Sequence, residues 1–217
     1  MTEKICCLVG ASELSEMPRG DFIIAADGGL DHLMKMGITP DLVIGDLDSA
    51  KSDVPKNIPL RRFKKEKDET DMYLAYIAGC ELGYTAFLIL GGSGGRLDHT
   101  LANHALLLHA AKHGHRIEMA DSAYLTTVIY NSSVVFHIVK NDDQKDPPRG
   151  VSIFAIGSDA NGVNIDGLEY EAHGITLRCD FPLGVSNRER GECFSVGCED
   201  GALLVMVERR GLQSLFF

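Results

Sequence analysis

Four short runs of unbroken apolar residues constrain the fold more than any other feature: Ile5-Cys6-Cys7-Leu8-Val9, Phe22-Ile23-Ile24-Ala25-Ala26, Leu42-Val43-Ile44 and Ala86-Phe87-Leu88-Ile89-Leu90. None alternates polar with apolar, so each reads as a strand buried on both faces, as in a parallel sheet covered by helices. Each also stops at glycine or aspartate: Gly10, Asp27, Gly45 and Gly91. The intervening segments carry helical spacing. Leu30, Leu33 and Met34 precede the stop signals Gly37 and Pro40, and Asp68-Glu69-Thr70-Asp71 opens a helix with Leu74, Ile77 and Ala78 on its apolar face. A third helix places Leu101, Ala102, Ala105 and Leu108 on one face and stops at Gly114, and Ile117-Glu118-Met119 adds a strand. This alternation predicts an α/β domain with a mostly parallel, doubly wound, Rossmann-like sheet.

The texture changes near residue 122. Helical spacing gives way to short β-type runs: Tyr124–Tyr130, Val134–Val139, Val151–Ile156, Gly162–Ile165, Ile175–Cys179, Cys193–Val196 and Ala202–Val207. Their spacing, with turn residues between them, predicts an all-β sandwich. The expected organisation is therefore residues 1–122 as an α/β domain and 123–217 as a β-sandwich domain.

Composition narrows the function. A formal net charge of −10 over 217 residues argues against a nucleic-acid surface, and no apolar stretch is long enough to span a membrane. Six cysteines without a C-x-x-C pair, and no signal-peptide pattern after Met1, fit reduced thiols in a cytoplasmic protein.

Acidic residues cluster at the strand-to-helix junctions: Asp27, Asp46 with Asp48, Asp68 with Asp71, and Asp98. In a parallel sheet these junctions share one edge, where α/β proteins bind ligands. Each alone could be a turn or a helix cap. Together they form an all-oxygen donor set suited to a hard cation such as Mg²⁺. Gly91-Gly92-Ser93-Gly94-Gly95 precedes a helix and is a natural phosphate cradle, although it has neither Walker nor G-x-G-x-x-G spacing. Arg96 adds a charge-assisted fork. Acids, a divalent cation, a glycine loop and an arginine describe phosphoryl-group transfer. The basic cluster Arg61, Arg62, Lys64, Lys65 and Lys67 reads mainly as a solvated edge. His109 and His113 share a helix face, a spacing that can ligate zinc but more often marks packed or solvated side chains.

Ala26-Asp27-Gly28-Gly29, Gly45-Asp46-Leu47-Asp48-Ser49, Asp68-x-Thr70-Asp71 and Gly94-Gly95-Arg96-Leu97-Asp98-His99-x-x-x-Asn103 resemble, in order and spacing, the motifs of the thiamine pyrophosphokinase family. The resemblance continues more loosely through Gly167-Leu168-Glu169-Tyr170 and Gly184-Val185-Ser186-Asn187. It implies transfer of a pyrophosphoryl group from ATP to the hydroxyl of thiamine, giving thiamine diphosphate and AMP. It also implies an α/β domain followed by a β-sandwich, and a homodimer whose thiamine pocket joins the α/β domain of one subunit to the β-domain of the other. On this resemblance Asp46, Asp48 and Asp71 would hold Mg²⁺, supported by Asp27. Arg96, Gly94 and Gly95 would contact phosphate, with Gly28, Gly29, Ser49, Thr70, His99 and Asn103 completing the nucleotide side. Ser186 and Asn187 would reach the acceptor. The proton acceptor could be Asp98 or Asp71. The chain has no tryptophan, whereas some members stack thiamine on one near the chain end, a region where Val205-Met206 stands here. Some members have a glutamine where Lys67 precedes the D-x-T-D motif.

Two other function classes fit the same acids. A strand followed by D-x-D is also the signature of aspartate-nucleophile phosphatases and phosphotransferases. A non-catalytic nucleotide-binding sensor would use the same crevice without turnover.

Overall fold

A computed structural model describes residues 3–46, 54–63, 68–137, 147–210 and 212. Asp48 and Ser49, and Lys64, Lys65 and Lys67 of the basic cluster, lie outside the described residues. The chain divides into two compact units, Met1–Ser122 and Ala123–Phe217.

The first unit contains β1 (Ile5–Val9), β2 (Phe22–Ala26), α1 (Gly29–Lys35), β3 (Leu42–Gly45), β4 (Leu60–Arg62), α2 (Asp71–Glu81), β5 (Ala86–Leu90), α3 (Leu97–Lys112) and β6 (Arg116–Ala120). Its strands lie in the order β6-β5-β1-β2-β3-β4, and every pair is parallel. The apolar runs of β1, β3 and β5 are buried along most or all of their length, because helices or loops cover both faces. Cys6 faces α2: a Cβ on Gly79 would meet its Sγ at 3.2 Å. Cys7 faces the β1–β2 loop, where a Cβ on Gly20 would lie 3.2 Å from its own Cβ.

The strand order reverses at β1. Strands β2, β3 and β4 follow on one side of it, and β5 and β6 on the other. Such a reversal opens a crevice at the carboxyl ends of the strands. The register makes that edge level, with Val9 beside both Leu90 and Ala25, and Ala26 beside Ile44.

Two sequence expectations for the helices need correction. The buried stripe of α3 is Asn103, Leu106, Leu107 and Ala110. Leu101 is 61% exposed and Ala105 is also exposed. The 101/105/108 stripe is equally periodic, but α3 turns the Asn103 stripe toward the sheet. In α2 the buried residues are Met72, Ala75, Tyr76, Ala78 and Gly79, so of the expected face only Ala78 is buried. Glycine at 79 lets the helix approach Phe87, whose ring atom would stand 2.6 Å from an added Cβ. Strand β4 was not expected, since Arg61 and Arg62 are exposed on an edge strand and its three residues carry little pattern.

The second unit is all-β. It contains β7 (Tyr124–Tyr130), β8 (Ser133–His137), β9 (Gly150–Ala155), β10 (Ala160–Asp166), β11 (Ala172–Leu177), β12 (Asn187–Arg188), β13 (Cys193–Gly197) and β14 (Ala202–Glu208). They form antiparallel arrays in the orders β12-β9-β14-β7 and β11-β10-β13-β8. Alternation is clear in β10, where Ala160, Val163 and Ile165 are buried and Asn161, Asn164 and Asp166 are exposed. Phe136 and Phe194 stack with centroids 4.8 Å apart and are fully buried or nearly so. All six cysteines are free. No helix among the described residues is long and apolar enough to cross a membrane.

Candidate active site

Because β5, β1, β2 and β3 end level, four loops leave one edge together: Gly91–Arg96, the turn from Gly10, Asp27-Gly28, and Gly45-Asp46. Their backbones touch. Gly45 has φ +147°, and a Cβ there would lie 3.2 Å from the Asp27 Cα. The Asp27 amide donates to the Ile44 carbonyl at 2.8 Å, and Asp27 itself holds a left-handed φ of +46°. Left-handed backbone in an aspartate is uncommon and costs energy that its surroundings must supply. The carboxylate-bearing turns of Asp27 and Asp46 are thus adjacent.

Helix α2 adds Asp71. Thr70 caps it, its hydroxyl accepting from the Tyr73 amide at 3.2 Å. Asp71 stands in the first turn, where the helix dipole favours a negative charge. This end of α2 lies over the sheet edge, since a Cβ on Gly10 would stand 2.8 Å from the Met72 Cε.

The glycine loop is pinned from beneath. Asn103 Nδ2 donates to the Gly92 carbonyl at 2.6 Å, and Ser93 Oγ donates to Asp121 Oδ2 at 2.7 Å. Gly91 has φ +66° and Gly94 has φ +87°, so the loop needs glycine at both. Beyond it, the Arg96 guanidinium donates to both Asp98 oxygens, at 3.1 and 2.5 Å, and the pair is largely exposed. That fork, helped by the His99 amide at 3.0 Å, holds the Asp98 carboxyl at a pKa of about 2.

The sequence-expected residues therefore separate by environment. Asp27, Asp46, Asp71, Gly94, Gly95, Arg96 and Asp98 belong to the edge loops and adjoining helix starts. Gly28 and Gly29 are buried beneath the β1 turn: a Cβ on Gly29 would fall 2.0 Å from the Val9 carbonyl oxygen, so packing alone requires glycine there. Thr70 and Asn103 spend their side chains on a cap and on the loop backbone. His99 is exposed. Among the described residues no three His, Cys, Asp or Glu side chains are grouped as a metal site. His109 and His113 instead join an aromatic cluster, their rings 4.3 Å apart, with Tyr73 edge-on to His109 at 5.3 Å.

Ser186 and Asn187 lie in the second unit, in a cavity of about 280 Å³ also lined by Tyr124, Ser152, Arg188 and Arg210. Ser186 holds φ +63°, and its amide donates to Ser152 Oγ at 3.2 Å. Asn187 is buried; its Oδ1 accepts from the Tyr170 amide at 2.9 Å, and its Nδ2 donates to the Tyr170 carbonyl at 2.8 Å. It braces the cavity wall.

Sequence reasoning missed the turn Gly10-Ala11-Ser12. It has no charge, and its one signal is a glycine closing an apolar run. Yet it stands between the glycine loop and the Asp27 turn.

Comparison with known proteins relates the chain to one family and one fold. The family model described as thiamin pyrophosphokinase, catalytic domain, matches residues 15–119. Thiamine pyrophosphokinase of Bacillus subtilis is 28% identical over 170 residues, covering 76% of each chain. The crystal structure of thiamine pyrophosphokinase from Bacillus subtilis superposes with a TM-score of 0.83 at 21% identity, covering 94% of this chain and 99% of that one. A thiamin pyrophosphokinase family protein from Enterococcus faecalis gives 0.79 at 21% identity, covering 95% and 99%. The catalytic-domain match, the curated relative and the shared fold together make the chain similar to the thiamin pyrophosphokinase family.

Proposed function

We propose that the protein is a thiamine diphosphokinase, transferring the pyrophosphoryl group of ATP to the hydroxyl of thiamine and releasing AMP. The observation that carries this reading is the level strand edge, which gathers Asp27, Asp46 and the glycine loop onto one crevice, with Asp71 at the α2 start above it. In the reaction, the acceptor oxygen bonds to the β-phosphorus, the bond from that phosphorus to the α-phosphate oxygen breaks, and AMP leaves. The hydroxyl proton passes to a carboxylate. The acceptor is Asp71 or Asp98; without nucleotide, the Arg96 fork makes Asp98 a weak base.

Asp46 and Asp71 would hold Mg²⁺ together with Asp48, and the contact of Gly45 with Asp27 supports this by bringing two acidic turns together. Hard oxygen donors on adjoining loops fit that ion. When bound, it would neutralise charge on the phosphate oxygens. The chain's own work is positioning: Gly94, Gly95 and Arg96 offer amides and a guanidinium to phosphate. An arriving polyphosphate would compete with Asp98 for Arg96. In the second unit, the Ser186–Asn187 cavity is the proposed acceptor-binding surface. Phe181 and Leu183 are each 59% exposed and Val185 47%, and we assign this apolar ridge to self-association as a homodimer. Free thiols at all six cysteines favour a cytoplasmic setting.

Incubation with ATP, Mg²⁺ and thiamine, followed by chromatography, tests the reading. Thiamine diphosphate and AMP should form in wild type. The well-folded Asp71→Asn variant should form neither, and full activity in it would remove Asp71 from the machinery.

A further inference from the structure

The β1–β2 turn lies at the reversal of strand order and is held more firmly than a connecting loop requires. The Gly10 amide donates to the Leu90 carbonyl at 2.8 Å and the Ser12 amide to the Gly91 carbonyl at 3.1 Å. His32 Nε2 donates to the Ala11 carbonyl at 3.0 Å. Farther along the same loop, Arg19 reaches Glu118 at 3.7 Å, and that carboxylate is fully buried in β6. A buried carboxylate is costly to desolvate unless paired, so this contact fixes the course of the loop across the sheet.

One group in the turn has no structural employment. The Ser12 hydroxyl makes no hydrogen bond to another described residue, although the Ser12 backbone is pinned and its side chain half-buried. It stands against the phosphate cradle: a Cβ on Gly95 would lie 2.7 Å from Ser12 Oγ. Glycine at 95 therefore leaves that hydroxyl its space. Turn and cradle approach just as closely elsewhere, since a Cβ on Gly91 would meet the carbonyl oxygens of both Gly10 and Ser12 at 2.7 Å.

We propose that Gly10-Ala11-Ser12 is a further wall of the nucleotide crevice and that the Ser12 hydroxyl donates a hydrogen bond to a phosphate oxygen of bound ATP. This rests on the functional reading above. A neutral hydroxyl suits the position, because it adds a donor without attracting the acidic turns nearby. Its fixed backbone means little entropy is lost when the contact forms.

The test compares wild type with Ser12→Ala by calorimetric titration of ATP and of adenosine in Mg²⁺, with KM for ATP and for thiamine, and thermal unfolding. A hydrogen bond to a charged phosphate predicts that Ser12→Ala weakens ATP and raises its KM about tenfold. Adenosine affinity, KM for thiamine and Tm should stay unchanged. Gly95→Ala, which places a methyl group on the hydroxyl's position, should give the same selective loss. Unchanged ATP affinity in Ser12→Ala overturns the proposal. So does an equal loss for adenosine, or a fall in Tm without a change in KM, since either marks a structural role. A wild type that binds no ATP overturns the functional reading and this inference with it.

Discussion

Gly10→Ala tests whether the β1–β5 junction is the reacting crevice. Gly10 does not have a left-handed φ, so alanine is conformationally acceptable and the perturbation is steric. Its Cβ would stand 2.6 Å from the Gly91 carbonyl oxygen and 2.8 Å from the Met72 Cε. The methionine end can swing away, but the carbonyl belongs to the pinned glycine loop. Reaching even 3.0 Å requires the two strand ends to part by about 0.4 Å, and overpacking of this kind costs about 1–3 kcal/mol. For a chain of this length, 2 kcal/mol lowers Tm by about 4–8 °C. The displaced loop carries the phosphate donors, and a misplacement of about 1 Å can cost 10²-fold, so kcat/KM for ATP should fall roughly tenfold. Gly37→Ala is the control: it has φ +69° and nothing within 4 Å of an added Cβ. It should lose about 1 kcal/mol of stability through left-handed strain alone and keep full activity. Differential scanning calorimetry and initial rates on both variants decide the matter. If Gly10→Ala destabilises like Gly37→Ala but retains wild-type kcat/KM, the junction is not the crevice.

Other expectations follow from the same geometry. Titration of the Asp98 carboxyl by NMR should give a pKa of about 2 in wild type, moving up toward the ordinary 3.8 in Arg96→Ala, where the His99 amide still lowers it. Because the folded-state value is the depressed one, the stabilisation from this pair is present above about pH 4 and disappears as pH falls toward 2. Native protein treated with a thiol reagent at pH 8 should label exposed Cys193. It should spare Cys7, whose thiol burial pushes up to about 12, and Cys6, raised by burial as well; labelling of Cys7 without unfolding would contradict the buried β1. Replacing Phe181 and Leu183 with serine should convert a dimer into monomer in sedimentation, with little change in Tm measured at low concentration.

Much of the first unit could be read in advance because parallel strands buried on both faces leave unbroken apolar runs. Of its strands only β4 escaped, being three residues long on an edge with two exposed arginines. In the second unit β12 spans two residues and has no period to detect. Helix faces were harder. Leu97 and Leu101 are 72% and 61% exposed, so apolar spacing in α3 pointed to a stripe that faces away from the sheet. The acidic turns stood out because charge at a strand end is conspicuous. Gly10-Ala11-Ser12 did not, since its placement depends on strand order and on β1 ending level with β5. Gly29 illustrates the converse: a glycine in a binding motif whose necessity comes from the Val9 carbonyl beside it. Asn187 likewise carries a wall rather than an open donor.

Transfer of an intact pyrophosphoryl group across the level strand edge is tested most directly by following ATP, Mg²⁺ and thiamine with the purified protein by ³¹P NMR. AMP and thiamine diphosphate carrying the former β- and γ-phosphorus atoms should appear in equimolar amounts. Formation of ADP with thiamine monophosphate, or of free phosphate with thiamine unchanged, would contradict it.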